Sequence, residues 1–182
     1  MSTSITPPAP PLQANGLTVT STGSSFVIRH PDQKNALHPI KTSNDAKTIF
    51  KITSDVGLNR IKEFLKKVDL TAISTRSLAA IGKTLNDNNL ISDAVLAQFK
   101  AGSMEYDNKG KQINLDKPFN ALALFDQKMD DRTTYANANP KEARTSAFRR
   151  ETSGIQEANH VISAMSWFAH SGSGSLSVSV HA

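Results

Sequence analysis

The 182-residue chain contains no cysteine. Disulfide bonds and thiolate metal sites are therefore excluded, and packing alone must stabilise the fold. Aromatic residues are few, and no apolar run approaches the roughly 18 residues that a membrane helix needs. The N-terminus lacks a basic n-region, and Pro7, Pro8, Pro10 and Pro11 interrupt the place of an apolar h-region. We expect no classical signal peptide, so the chain is either cytoplasmic or exported by another route.

Both ends of the chain are polar and poor in charge. Residues 1–28 contain no Asp, Glu, Lys or Arg, and residues 171–182 hold five Ser and two Gly. Segments of this composition bury too little apolar surface to offset the entropy of ordering. The sequence therefore predicts three parts: a polar segment 1–43 that is flexible or ordered by assembly, a helical domain 44–170, and a Ser/Gly-rich tail 171–182.

Short alternating patterns lie within these polar ends. Apolar and polar residues alternate along Leu17-Thr18-Val19-Thr20, and Leu176, Val178 and Val180 alternate with serine in the tail. This period of two is typical of a half-buried strand. The two segments are either flexible or form strands. As strands they would pair with each other or add to the edge of a sheet in a partner.

The Ser/Thr/Pro-rich, acid-free leader at residues 1–28 resembles the uncleaved export signals of bacterial type III and flagellar secretion substrates. Proteins of that class are likewise often cysteine-free and helical. The resemblance implies an exported protein or a subunit of a larger assembly.

Helix signals dominate the middle of the chain. Ser54, Ser74 and Ser92 each precede apolar residues at helical spacing and are expected to be N-caps. The second and third of these helices are expected to form a hairpin that ends at Gly102. The β-prone residues 48–53 predict a strand or a docking segment.

The next two segments are predicted from turn and cap signals. The polar region 105–116 indicates a loop or a small hairpin. A further helix is expected over 116–129, with Asp116 near its cap and Pro118 in its first turn. A polar break is expected to follow at 130–132.

The last predicted helix, over 139–170, is the most distinctive element. Asn139 and Pro140 indicate its start, and apolar residues then recur every seven positions, a spacing typical of a helix packed on other helices. Gly154 weakens its middle. The helix is either the centre of a monomeric bundle or shares its apolar face with a partner. The predicted partner-interface residues on this helix and in the tail are Phe148, Ile155, Ile162, Met165, Trp167, Phe168, Leu176, Val178 and Val180.

The sequence offers no catalytic or metal-binding motif of known type. Glu157 and His160 form one Glu-x-x-His, but di-iron bundles need a second copy and two further Glu, and the chain has five Glu in all. The turn 84–95 resembles an EF-hand loop, yet Val95 stands where a bidentate Glu is required. We expect a protein that is not an enzyme, without a cofactor, a metal site or a small-molecule substrate.

Nucleic-acid binding is the alternative function. Helices 74–85 and 92–101 are arranged like a helix-turn-helix, and the net charge is +5. The second of these helices, however, has Lys100 as its only basic residue. The connection between the two helices is also longer than in that motif. DNA binding through 74–101 is therefore the less favoured interpretation.

The sequence thus predicts a mainly α protein. We expect about five helices in a small bundle, with a long C-terminal helix and minor short β segments near the termini. Its expected function is that of a non-enzymatic protein–protein interaction or assembly protein that binds a protein partner or itself.

Overall fold

A computed structural model describes residues 28–29, 40 and 42–170, and these residues are mainly α-helical. The long C-terminal helix is present, which confirms the predicted fold class. A two-stranded antiparallel sheet is the only sheet in the described residues. The elements are α1 (Ser43–Ile49), α2 (Asp55–Leu65), β1 (Ile73–Ser74), α3 (Thr75–Asp87), α4 (Asp93–Ala101), β2 (Pro118–Phe119), α5 (Ala121–Ala138) and α6 (Ser146–His170).

Serine caps fix the starts of three helices. The hydroxyl oxygens of Ser54, Ser74 and Ser92 each accept a hydrogen bond from the backbone N–H three residues later, at 3.1 to 3.3 Å. These bonds satisfy donors that the first helical turn leaves without an intrahelical partner. All three predicted N-caps are confirmed.

Helices α3 and α4 form the predicted hairpin. A Cβ atom at Gly82 would lie 2.8 Å from the ring of Phe99, so the two helices meet closely there. The Phe99 ring in turn packs against Phe125 of α5, with 5.7 Å between the ring centroids. Gly102 ends α4 at a φ of +49°, and a Cβ atom at this position would collide with Thr75. The predicted stop signal is confirmed.

The small hairpin predicted at 105–116 is also present. Tyr106 and Gln112 form an antiparallel bridge, which marks the two arms. Burial raises the pKa of Glu105 at its base, but hydrogen bonds from Asn114 (2.7 Å) and Lys117 (3.0 Å) outweigh this effect and hold the pKa below its usual value.

Residues 48–53, for which a strand or a docking segment was predicted, do not form a strand. The first part of this segment belongs to α1, which opens with a capping box between Thr42 and Asp45. Phe50 follows the helix and is fully buried. Its ring packs against that of Phe168, with 5.7 Å between the ring centroids. Burial of this side chain at the helix end outweighs the local β preference of its neighbours.

The predicted start of α5 is also wrong. Asn120 is its N-cap, and the side-chain oxygen accepts from the backbone N–H of Ala123 at 3.1 Å. Pro118 lies outside the helix, because Pro118–Phe119 pairs with Ile73–Ser74. The helix then continues through residues 130–132 to Ala138 without the predicted break.

Helix α6 begins later than predicted. Asn139 is the C-cap of α5, and its backbone N–H donates to a carbonyl oxygen of that helix at 2.9 Å. A 3-10 turn at Glu142–Arg144 follows, and the Thr145 hydroxyl accepts from the backbone N–H of Phe148. The helix therefore has 25 residues and is about 37 Å long.

Helix α6 lies at the centre of the bundle and packs against α1, α2, α4 and α5. It continues through Gly154. A Cβ atom at Gly154 would lie 3.4 Å from the Cβ of Ala94 in α4, which is an ordinary packing distance.

The two helical glycines give opposite predictions. Gly154→Ala should raise the free energy of unfolding by roughly 0.5–1 kcal/mol, because alanine favours the helix and its methyl group fits. Gly82→Ala should lower it by roughly 1–2 kcal/mol despite the same gain in helix propensity, because the methyl group would overlap Phe99. Urea unfolding of both variants tests this, and equal stabilisation by both would contradict the close α3–α4 contact.

Candidate interaction surface

The residues predicted to face a partner from α6 lie mostly inside this chain. Trp167 is half-buried, and the ammonium group of Lys62 lies over its ring. Leu176, Val178 and Val180 lie outside the described residues. A partner can contact the buried members only if α6 leaves the bundle. The buried members are Phe148, Ile155, Ile162, Met165 and Phe168.

Helix α5 carries buried polar side chains that the sequence analysis missed. Asp126, Gln127, Lys128 and Arg132 are each at most 8% exposed. They were missed because the polar run at 126–132 has the composition of a helix end on the surface. Buried polar side chains in a helical core need hydrogen-bond acceptors or donors from neighbouring elements.

Arg132 obtains such partners from the start of α6. Its guanidinium donates to the hydroxyl of Thr152 (2.9 Å), the carbonyl oxygen of Phe148 (3.0 Å) and the carboxylate of Glu151 (2.8 Å). It also lies 3.7 Å from the centroid of the Phe148 ring, on which Tyr135 stacks at 5.8 Å. This cluster fixes α6 against α5 at one end of the bundle.

Lys128 has weaker surroundings. Its Nζ atom lies 3.4 Å from the side-chain oxygen of Gln98 and 4.8 Å from the ring centroid of Phe125. Burial lowers the pKa of Lys128 to about 8. A lysine of lowered pKa is typical of catalytic sites, but this side chain is closed off by the bundle, with 6% of the residue exposed.

The other motifs weighed from the sequence are held in contacts between helices. Glu157 accepts a hydrogen bond from the Ser92 hydroxyl at 2.8 Å and so ties α6 to the start of α4. In the EF-hand-like turn, the Asn86 amide donates to the carbonyl oxygen of Ile91 and to the Asp93 carboxylate, both at 3.1 Å. Within the described residues, no three His, Asp or Glu side chains are grouped so that they could hold a metal ion.

Two basic residues of the segment considered for DNA binding, Arg76 and Lys83, are paired with acids. Arg76 donates two hydrogen bonds to Asp116, at 2.7 and 3.1 Å, and Asp116 therefore contacts α3 instead of capping α5. Lys83 lies 2.6 and 2.9 Å from the two carboxylate oxygens of Asp87. Each phosphate contact by these residues would have to displace a carboxylate.

Helix α2 presents apolar side chains to solvent. Val56 is 64% exposed and Phe64 is 40% exposed, and they are the large hydrophobic residues that stand out in this way within the described part of the chain. The opposite side of the helix is buried through Ile61 and Leu65. Phe64 directly precedes the buried Leu65, but its own side chain is turned toward solvent.

Exposed cations accompany these apolar side chains. Arg60 is four residues from Val56 and from Phe64, so these three side chains follow one helical stripe, and the exposed Lys67 lies two residues beyond the end of α2. Lys66 next to them pairs with Glu63. No ion pair involves Arg60 or Lys67 within the described ranges. We call Val56, Arg60, Phe64 and Lys67 the α2 face.

Comparisons with known proteins add no relative: the chain matches no protein-family model, and neither curated proteins nor solved structures gave a match. None of the helices in the described ranges has both the length and the hydropathy needed to cross a membrane. The candidate site therefore depends on the geometry of this chain alone. Within the described residues, the α2 face carries large apolar side chains that are accessible without opening the bundle.

Lys128 gives a prediction for stability against pH. The pKa is about 8 in the folded chain, against an ordinary value of 10.5, so the unfolded chain binds more protons between these values. The contribution of Lys128 to stability is therefore least favourable below pH 8 and improves as the pH rises toward 10.5. Lys128→Met should unfold with a free energy higher by on the order of 3 kcal/mol at pH 7, and this advantage should shrink by pH 10.

Lys100→Met is the matched control, because Lys100 is exposed on α4. It should leave the free energy of unfolding unchanged at both pH values. Denaturant unfolding at pH 7 and pH 10 measures all three proteins. An advantage of Lys128→Met that stays constant with pH would show that the ammonium is not desolvated.

Proposed function

We propose that the chain is a non-enzymatic protein–protein interaction or assembly protein, and that the α2 face is its docking surface. The exposure of Val56 and Phe64 on one stripe carries this proposal. Complete burial of such a side chain contributes roughly 1.5–3 kcal/mol, so covering the exposed parts of these two would contribute a share of this to binding. Apolar side chains rimmed by charge are typical of interaction sites.

From the chemistry of the α2 face we expect the partner to be an acidic, amphipathic protein segment. Val56 and Phe64 are two helical turns apart, about 12 Å along the axis. Arg60 lies between them, and Lys67 follows just past the end of the helix, so carboxylates beside two apolar anchors would complement the face. Nucleic acid would gain from the two cations but would leave both apolar side chains uncovered.

Two settings fit this function. The composition of residues 1–28 supports export by a type III-like route, in which the partner is met during or after export. The second setting is a permanent subunit of a larger complex. The alternative function, DNA binding through 74–101, receives no support from Arg76 and Lys83, because both are paired with carboxylates.

Substitutions on the α2 face should abolish partner binding without unfolding the chain. A photoreactive amino acid at position 64 of the full chain, expressed in its source cells, should crosslink to an acidic segment of another protein. Arg60→Glu with Lys67→Glu should reduce the crosslink about tenfold or more, since two attractive contacts become repulsive. Val56→Ser should also reduce it, because an apolar anchor is lost.

The exposed pair Arg149 and Arg150 on α6 supplies the matched control. Their double change to Glu alters the net charge equally but should leave the crosslink intact. An equal loss with this control, or a crosslinked segment that is basic or a nucleic acid, would contradict the proposal. Light scattering after size exclusion measures the oligomeric state as a second test. Self-association through position 64 would bring two basic faces together and would contradict an acidic partner.

A further inference from the structure

Glu63 brings a negative charge next to the cations of the α2 face. It follows Arg60 by three residues and directly precedes Phe64, and all three lie in α2. Side chains three residues apart are neighbours on a helix surface, so the Glu63 carboxylate is within reach of the Arg60 guanidinium. A carboxylate paired with Arg60 would neutralise a cation that an acidic partner is expected to contact.

Glu63 is paired with Lys66 instead. The Lys66 ammonium donates to the Glu63 carboxylate across one helical turn. In the described part of the chain, no ion pair joins Glu63 to Arg60. The order of the residues favours the observed pair, because an acid that precedes its basic partner along a helix is the more stable arrangement.

The Lys66 side chain draws this carboxylate away from the apolar anchor. Lys66 is the C-cap of α2 and keeps a helical backbone conformation, with a φ of −52° and a ψ of −28°. At about 100° per residue, the order of side chains around the helix is Phe64, Arg60, Glu63 and Lys66. The negative charge is therefore held on the far side of Arg60 from Phe64.

The pair is exposed and contributes little to folding. The side chain of Lys66 is 45% exposed and that of Glu63 is 68% exposed, and ion pairs of such exposure stabilise little. The buried Ile61 and Leu65 hold α2 in the bundle whether or not the pair is present. The pair thus determines where the charge of Glu63 lies, and not whether the helix forms.

We infer, building on the function proposed above, that Lys66 is a positioning residue of the α2 face. It holds the Glu63 carboxylate so that Arg60 remains available to a carboxylate of the acidic partner. Without the Lys66 ammonium, Glu63 turns to Arg60 and takes the place of that partner carboxylate. The affinity of the face is thereby set by a residue that need not touch the partner.

The Arg60 side chain reports this exchange without any partner. In the full chain, Lys66→Gln should shift the NMR signal of the Arg60 Nε–H group, because the guanidinium then donates to Glu63. Adding Glu63→Gln should return the signal to its original position, and Lys66→Arg, which keeps a cation at this position, should leave it in place. An Arg60 signal that is equal in Lys66→Gln and in the double variant would overturn the inference.

The crosslink from position 64 of the full chain measures the effect on binding. Lys66→Gln should lower its yield about threefold, and adding Glu63→Gln should restore it, whereas Glu63→Gln alone should change the yield by roughly 1.5-fold or less, because Lys66 already holds the carboxylate. Lys66→Arg should retain the original yield. Lys100→Gln is the matched control, since it removes one exposed lysine of α4 and should leave the yield unchanged.

The pattern of the four yields separates positioning from net charge. If Glu63→Gln raises the yield by the same factor with Lys66 present and absent, net charge alone accounts for both residues and the positioning role is overturned. A loss with Lys100→Gln equal to that with Lys66→Gln would overturn it as well. Absence of any crosslink to an acidic segment, with the Arg60 signal moving as expected, would instead overturn the proposed function, and with it the role of Lys66 in binding.

Discussion

The burial of charged side chains on α5 is the constraint on which the rest of this bundle depends. Residues 121–128 of this helix are buried on every side, so its polar side chains cannot use solvent. A buried charge is stable only where neighbours supply hydrogen bonds or an opposite charge. The positions of α4, the start of α6 and Arg29, which donates hydrogen bonds to Gln127 and Asp131, are therefore tied to the polar groups that α5 presents.

The two buried cations of α5 meet this constraint differently. Arg132 has oxygen atoms from three residues and an aromatic ring within reach, and its planar, forked donors suit such a site. Lys128 has only one amide oxygen and one aromatic ring nearby. These do not compensate for its desolvation, and its pKa is therefore lowered. The Arg132 cluster fixes the α5–α6 corner, whereas Lys128 is a weak point built into the core.

The accuracy of the sequence analysis follows the range of the interactions involved. The caps at Ser54, Ser74 and Ser92 were predicted correctly because each depends on a side chain and a backbone N–H only three residues apart. The start of α5 failed because the pairing of Pro118–Phe119 with Ile73–Ser74 is long-range. A local sequence pattern cannot predict pairing with a strand about 45 residues away in the sequence.

The candidate site shows the same division. The seven-residue repeat of α6 correctly indicates a helix packed on other helices, but a repeat cannot tell a neighbour in the same chain from one in a partner. On α2, the cap signal at Ser54 predicts a helix but not which of its apolar side chains are exposed. Only the position of the helix in the bundle turns Val56 and Phe64 toward solvent, with Arg60 between them.

Surface contacts of this chain differ from those in the core in how much they cost to break. Core contacts such as those of Phe99 and Arg132 involve fully or nearly fully buried groups, and losing one partner leaves an unsatisfied group or a cavity. The Arg29–Asp131 ion pair and the α2 face lie at the surface, where water replaces a lost partner at little cost. Reversible binding needs contacts of this second kind. A bundle that satisfies its buried charges internally therefore fits the function proposed above, in which a partner binds at α2 while the helices stay in place.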